Sequence, residues 1–223
     1  MPGAREQKVL ISAIEALASL VEARDHATGH HMDDVARLST ELGGRLGLSE
    51  ADRHSMRLAA WLRDIGKVAV PDTVLQKPGR MNEDDWELVR RHPLVGAEVV
   101  GHLPGLRALA PAILGPHERW GGEGYPDGLT GESIPMAARI IAVADAYLTI
   151  VTERPYRQAR SVEQARAEIR RCSGSQFDPA VAAALDVLLE ESPLLVGIVG
   201  LEWDDSLWAG EGIAAEPLQP SLN

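Results

Sequence analysis

Apolar positions recur at helical spacing along most of this chain. Leu10, Ile14, Leu17 and Val21 follow one another at intervals of four, three and four, which lines one face of a helix over about Arg5 to Arg24. That stripe is expected to face the core, with a homodimer seam through the same N-terminal helix as the alternative. The stretch TGHHMDDVARLSTELGGRLGLSE carries a second helix, from an N-cap at Thr28 to the Gly43-Gly44 pair, and SEADRHSMRLAAWLRDIGK a third, capped by Ser49. NEDDWELVRRHP, AEVVGHL, IPMAARIIAVADAYLTIVT and SVEQARAEIRRC continue the pattern, each bounded by Pro, Gly or a capping residue. Period-two alternation is scarce and aromatics make up only 4%, so the predicted fold class is all-α, a helical bundle without internal repeats.

Composition narrows this further. With 223 residues, 45% of them hydrophobic, the chain has enough apolar surface for one sizeable domain and an appendage. The single cysteine, Cys172, excludes an intramolecular disulfide framework, and no apolar run follows a basic start as a signal peptide requires. The longest apolar run, SPLLVGIVGL, is about half of the ~20 residues a membrane helix needs. A cytoplasmic protein with no membrane partner is therefore expected. The net charge of -11 is uneven: no Lys or Arg follows Arg171, whereas nine acids do. The preceding residues are close to neutral, which leaves room for an anionic ligand there. A nucleic-acid polymer is not expected as a partner. The segment LLEESPLLVGIVGLEWDDSLW is expected to add a final helix or hairpin anchored by Trp203 and Trp208, and AGEGIAAEPLQPSLN a mobile tail.

Candidate chemistry lies in the histidines and in a series of short motifs. Of seven histidines, His54 and His102 sit on ordinary helical stretches and read as surface or packing residues. The motifs are EARDHATGHH at 22 to 31, RDIGK at 63 to 67, and the VPD, KPG and RHPLVG elements of VPDTVLQKPGRMNEDDWELVRRHPLVGAEVV. HERWGGEGYPDGLTGESIP at 117 to 135, RIIAVADAY at 139 to 147, RPYR at 154 to 157 and SQFDP at 175 to 179 follow. In this order and spacing the chain resembles the HD-GYP family, a branch of the HD metal-dependent phosphohydrolases. The resemblance covers roughly residues 10 to 186, flanked by an N-terminal extension (1 to 9) and an acidic C-terminal extension (187 to 223). On this reading a separate receiver or sensory domain is not expected within these 223 residues.

The resemblance implies a cluster of two or three iron or manganese ions in a helical bundle, and hydrolysis of cyclic di-GMP. A phosphodiester repels hydroxide, so paired cations serve both to acidify water and to neutralise developing charge. Carried over by position, His31 and Asp145 serve a first metal, Asp64 bridges, and His92 and His117 serve a second. Asp64 and Lys67 are the implied catalytic residues. Lys67, Arg154, Arg157 and Tyr125 would bind substrate, and Gly124-Tyr125-Pro126 forms the signature loop, a place for a protein partner.

Two ligand positions depart from the family pattern. Arg63 stands where the HD histidine belongs, and Pro116 replaces the first of a histidine pair. A guanidinium offers no lone pair and repels a cation; a proline side chain has no donor atom. Ala27 removes an acidic ligand that some members carry, and His30 should point away from the site because it adjoins His31. His26 is the other substitute considered. At most one divalent ion, iron or manganese, is expected, on Asp64, His92 and His117. Two placements of Arg63 are open: an ion pair with Asp64 or Asp145 that stands in for the missing cation, or a surface position. The expected function is binding of cyclic di-GMP or a protein partner with weak or absent hydrolysis. The alternative is an active single-metal phosphodiesterase.

Overall fold

The computed structural model describes residues 4–24, 31–153 and 158–191. Thr28, His26, His30, Ala27, Arg154, Arg157, Trp203 and Trp208 lie outside the described residues, as does the expected final helix or hairpin.

Local capping chemistry starts several helices where the sequence places them. The Ser49 hydroxyl accepts from the Asp52 amide (3.1 Å) and opens a helix over Glu50–Leu62. Asn82 and Asp85 bond each other's backbone amides at the start of Glu83–Arg90, and Ser161 and Gln164 do the same before Val162–Arg171. In chain order the helices are α1 (Ala4–Arg24), α2 (His31–Arg45), α3 (Glu50–Leu62), α4 (Asp72–Leu75), α5 (Glu83–Arg90), α6 (His92–Gly101), α7 (Ala110–Leu114), α8 (Met136–Val151), α9 (Val162–Arg171) and α10 (Pro179–Glu191). Short 3-10 turns lie at Ile65–Ala69, Arg107–Leu109 and Gly131–Ser133. No strand forms among the described residues; isolated bridges pair Gly121 with Thr130 and Ser173 with Phe177. The all-α expectation holds, and no helix among the described residues is long and apolar enough to cross a membrane.

The centre of the bundle is α2, α3 and α8. Leu38, Leu42, Met56, Leu58, Ile140, Ile141 and Tyr147 are fully enclosed there. Ile169 of α9 and Leu185 of α10 close one side, and α10 continues to Glu191 with Leu188 and Leu189 still in the core.

On α1 the expected stripe is corrected. Ile14, Ala18 and Val21 are buried, but Leu17 is 56% exposed, alongside exposed Val9 and Leu20. Residues three and four apart share nearly the same face, so the pattern alone does not choose between Leu17 and Ala18. The small Ala18 is the one turned to the core. At its C-terminal end α1 is pinned by Arg24, which pairs with Asp72 (2.7 Å) and donates to the carbonyls of Val68 and Val70.

Two joints fix the ends of the helices that meet at the polar end of the bundle. Arg139 on α8 forms a buried ion pair with Asp178 (2.6 Å), whose other oxygen accepts from the Ala180 amide at the start of α10. The second joint is the turn after α3, which lies directly on the first turn of α6. A β-carbon at Gly66 would stand 1.9 Å from the carbonyl oxygen of His92 and 2.6 Å from the Gly96 nitrogen. Both obstacles are backbone, so nothing flexible can give way. Gly66→Ala is therefore expected to destabilise the protein by about 3 kcal/mol or more, at the upper end of overpacking costs, measured by denaturant unfolding. A variant within about 0.5 kcal/mol of wild type would show that α6 is not seated this closely.

Candidate metal centre

Side chains from five segments converge at this end of the bundle. His31 opens α2, Arg63 and Asp64 follow α3, His92 opens α6, His117 begins the loop that precedes α8, and Asp145 lies on α8. Asp64, His92 and His117 bring one donor atom each to within 4.8 Å of one another. The His92 Nδ1 lies 2.7 Å from the Val89 carbonyl, which only accepts, so Nδ1 carries the hydrogen. In the neutral ring this leaves the Nε2 lone pair facing Asp64 (3.6 Å) and the His117 Nε2 (3.1 Å). His117 is held in turn between the edge of His92 and the stacked ring of Tyr125, 5.0 Å away and nearly parallel. Burial, then the neighbouring His92, lower its pKa to about 4, so the ring is a neutral donor near pH 7. The Tyr125 phenol is pushed up to about 12, chiefly by burial, and stays protonated.

The other half of the site is organised by a different cation. Arg63 is buried, with 6% of its side chain exposed, which rules out the surface placement. Its guanidinium lies 3.3 Å from Asp64 and 3.0 Å from Asp145, and it also donates to the Ala60 carbonyl (3.0 Å). Burial opposes its charge, but Asp64, Asp145 and then Glu22 outweigh burial and raise the Arg63 pKa. Burial likewise opposes ionisation of Asp64, yet Lys67, at 2.9 Å, with Arg63 and His92 holds that carboxyl well below its usual range. Asp145 is held low in the same way by Arg63 and by His31.

His31 Nε2 lies 3.0 Å from Asp145. A carboxylate accepts only, so in this arrangement the nitrogen donates to Asp145. Thus His31 and Asp145 meet as hydrogen-bond partners around Arg63, apart from the Asp64, His92 and His117 group. Pro116 is buried on the cavity wall with no donor to add.

A cavity of about 530 Å³ opens beside these residues, with His117, Asp145, Tyr125, Gln176 and Phe177 in its walls. Sequence reasoning passed over Glu118, Arg90, Arg119 and Gln176 on its walls. Glu118 and Arg119 directly follow His117 in the motif, which is the signal that would have found them. The buried Glu118 carboxylate accepts from the amides of Asp127 (2.7 Å) and Leu129 (3.0 Å), and so closes the loop that carries Gly124, Tyr125 and Pro126, with a cis bond between the last two.

A family model of the HD domain matches residues 12–181. A cyclic di-GMP phosphodiesterase response regulator, RpfG, of Xanthomonas campestris pv. campestris is 38% identical over 174 residues, covering 77% of this chain and 46% of that protein. The chain belongs to the HD-domain family, in its HD-GYP branch. A cyclic di-GMP phosphodiesterase of Thermotoga maritima is 36% identical to this HD-GYP domain over 184 residues, covering 82% of the chain and 50% of the relative. The chain thus spans about half the length of these curated relatives. Among solved structures, a cyclic GMP-AMP specific phosphodiesterase of V. cholerae aligns with a TM-score of 0.66 and 25% identity over 84% of this chain and 51% of that one.

The geometry makes Glu118 the latch of the HD-GYP loop. Glu118→Ala removes two charge-assisted bonds, each worth about 1.5–3 kcal/mol, so the Asp127 and Leu129 amides should exchange with solvent faster by about tenfold or more while the α2, α3 and α8 amides keep their protection. Unchanged exchange at both amides would mean that the loop is held by other contacts.

Proposed function

We propose that this HD-GYP domain binds cyclic di-GMP or a related cyclic dinucleotide, holds at most one divalent ion, and hydrolyses its ligand slowly or not at all. The observation that carries this reading is the buried Arg63 guanidinium bridging Asp64 and Asp145. It supplies positive charge where the resemblance implies a metal, yet has no lone pair and no open position for water. His31 is drawn into the same arrangement as a donor to Asp145.

Asp64, His92 and His117 do fit one ion, because two imidazoles and a carboxylate converge with the His92 tautomer already set. Bound there, iron or manganese would polarise a phosphodiester oxygen and acidify a water. Lys67 would bind a phosphate oxygen beside Asp64, and Tyr125 would donate from its hydroxyl along the cavity wall. Arg154 and Arg157 are proposed phosphate ligands on the resemblance alone. This same Asp-His-His group favours the second reading, a single-metal phosphodiesterase. The Gly124-Tyr125-Pro126 loop is the proposed seat of a protein partner.

Metal analysis of the purified chain should find one equivalent of iron or manganese or less. The double variant Arg63→His with Pro116→His should gain metal, melt at a higher temperature as manganese is added, and hydrolyse cyclic di-GMP at least about 100-fold faster than wild type. Two metal equivalents with sustained turnover in the wild-type chain would overturn the proposal. Unchanged metal content in the double variant would show that positions 63 and 116 are not the defect.

Homodimerisation through α1, if it occurs, is proposed to use the exposed Val9, Leu17 and Leu20 face. Leu17→Glu with Leu20→Glu should then convert a dimer to a monomer in light scattering; an unaltered dimer would exclude this face.

A further inference from the structure

A cyclic dinucleotide carries two phosphodiesters. Lys67 lies 2.9 Å from Asp64, one of the three residues whose donor atoms converge with His92 and His117. Among the described residues Lys67 is the one cation assigned to a phosphodiester above, which leaves the second without one.

Two arginines are among the residues that line the cavity, Arg90 and Arg119. Arg90 is engaged: it pairs with Glu83 at 2.7 Å and faces the Trp86 ring. Arg119 is not. Among the described residues no carboxylate pairs with its half-buried side chain, although Glu118 precedes it and the exposed Glu123 shares the cavity wall. Glu118 is turned instead to the Asp127 and Leu129 amides.

The backbone around Arg119 is firmly set. The Trp120 amide donates to the Gln176 carbonyl (3.1 Å), the Gly121 amide to the Ser175 carbonyl (2.8 Å), and the Gly122 amide to the Arg119 carbonyl itself (2.7 Å). These bonds tie the segment to the turn between α9 and α10. A partly desolvated cation with no carboxylate partner among the described residues favours an anionic ligand. A phosphodiester, whose single negative charge is shared by two non-bridging oxygens, matches the guanidinium fork.

We propose that Arg119 anchors the second phosphodiester of a cyclic dinucleotide, the one not presented to Asp64, His92 and His117, and so sets a preference for ligands with two phosphates. The proposal rests on the nucleotide-binding reading above.

The test uses the full chain and fluorescently labelled cyclic di-GMP, titrated at several salt concentrations against wild type, Arg119→Gln and Arg119→Lys. The glutamine variant should bind about tenfold to a hundredfold more weakly, the cost of one charge-assisted contact, with an unchanged melting temperature and a shallower salt dependence. The lysine variant keeps the charge and loses the fork, so it should fall between the two. Wild-type affinity in the glutamine variant overturns the proposal. A loss that keeps the full wild-type salt dependence also overturns it, because Arg119 then acts through packing. If the glutamine variant melts at a lower temperature, the lysine variant decides: wild-type affinity there rejects the bidentate contact. A wild-type chain that binds no cyclic di-GMP at all overturns both this inference and the nucleotide-binding reading, whereas wild-type binding with an indifferent Arg119 overturns this inference alone.

Discussion

The buried contact of Arg63 with Asp64 and Asp145 is the constraint on which the rest of the site depends. Two carboxylates are brought out of bulk water at the junction of α3 and α8, and each would lose several kcal/mol of solvation without a positive partner. The sequence provides that partner from the residue next to Asp64, so no ion is needed to hold the two acids together. Arg63 therefore satisfies the two acids within the fold of the bundle. The His31 ring follows from it, since an ionised Asp145 held by Arg63 draws a hydrogen from Nε2.

The scaffold converts this local contact into a defined cavity. Gly66 brings the turn after α3 against the carbonyl of His92, so the positions of Asp64 and His92 are coupled through backbone rather than through side-chain rotamers. Glu118 closes the loop bearing Tyr125, and the Tyr125 ring stacks on His117. The Arg139 to Asp178 pair ties α8, which carries Asp145, to the start of α10. The Gly66 and Arg139 joints link segments far apart in the chain, and the Glu118 latch closes a local loop.

What was legible in the sequence follows from how local its cause is. The caps at Ser49, Asn82 and Ser161 depend on residues three positions away, so they were readable, as were the helices they open and the all-α class. The convergence of Asp64, His92 and His117 was available only through the family resemblance, because spacing along a chain does not bring three helix ends together. Leu17 and Ala18 were confused because both suit the same helical period, and tertiary packing chose the smaller side chain. Arg63 had two open placements for a related reason: a residue at the end of a helix can turn inward or outward, and only the position of Asp145, more than eighty residues later, decides. Glu118 and Arg119 were passed over since their roles are set by amides at 127 and 129 and by the turn at 175 and 176.

The two departures from the family pattern act on different physical quantities. Pro116 subtracts a donor atom and leaves the neighbouring charges as they were. Arg63 subtracts a donor and also adds a fixed positive charge among the acids that would otherwise attract a metal, so its effect extends to Asp64, the carboxylate shared with the Asp-His-His group. Lys67 draws on that same carboxylate at 2.9 Å. Any ion held by His92 and His117 must therefore compete with two resident cations for Asp64, and its affinity is governed by charge balance as much as by ligand count. Under the proposed reading, the charge balance at Asp64 rather than the ligand count alone limits how well a cation is held there.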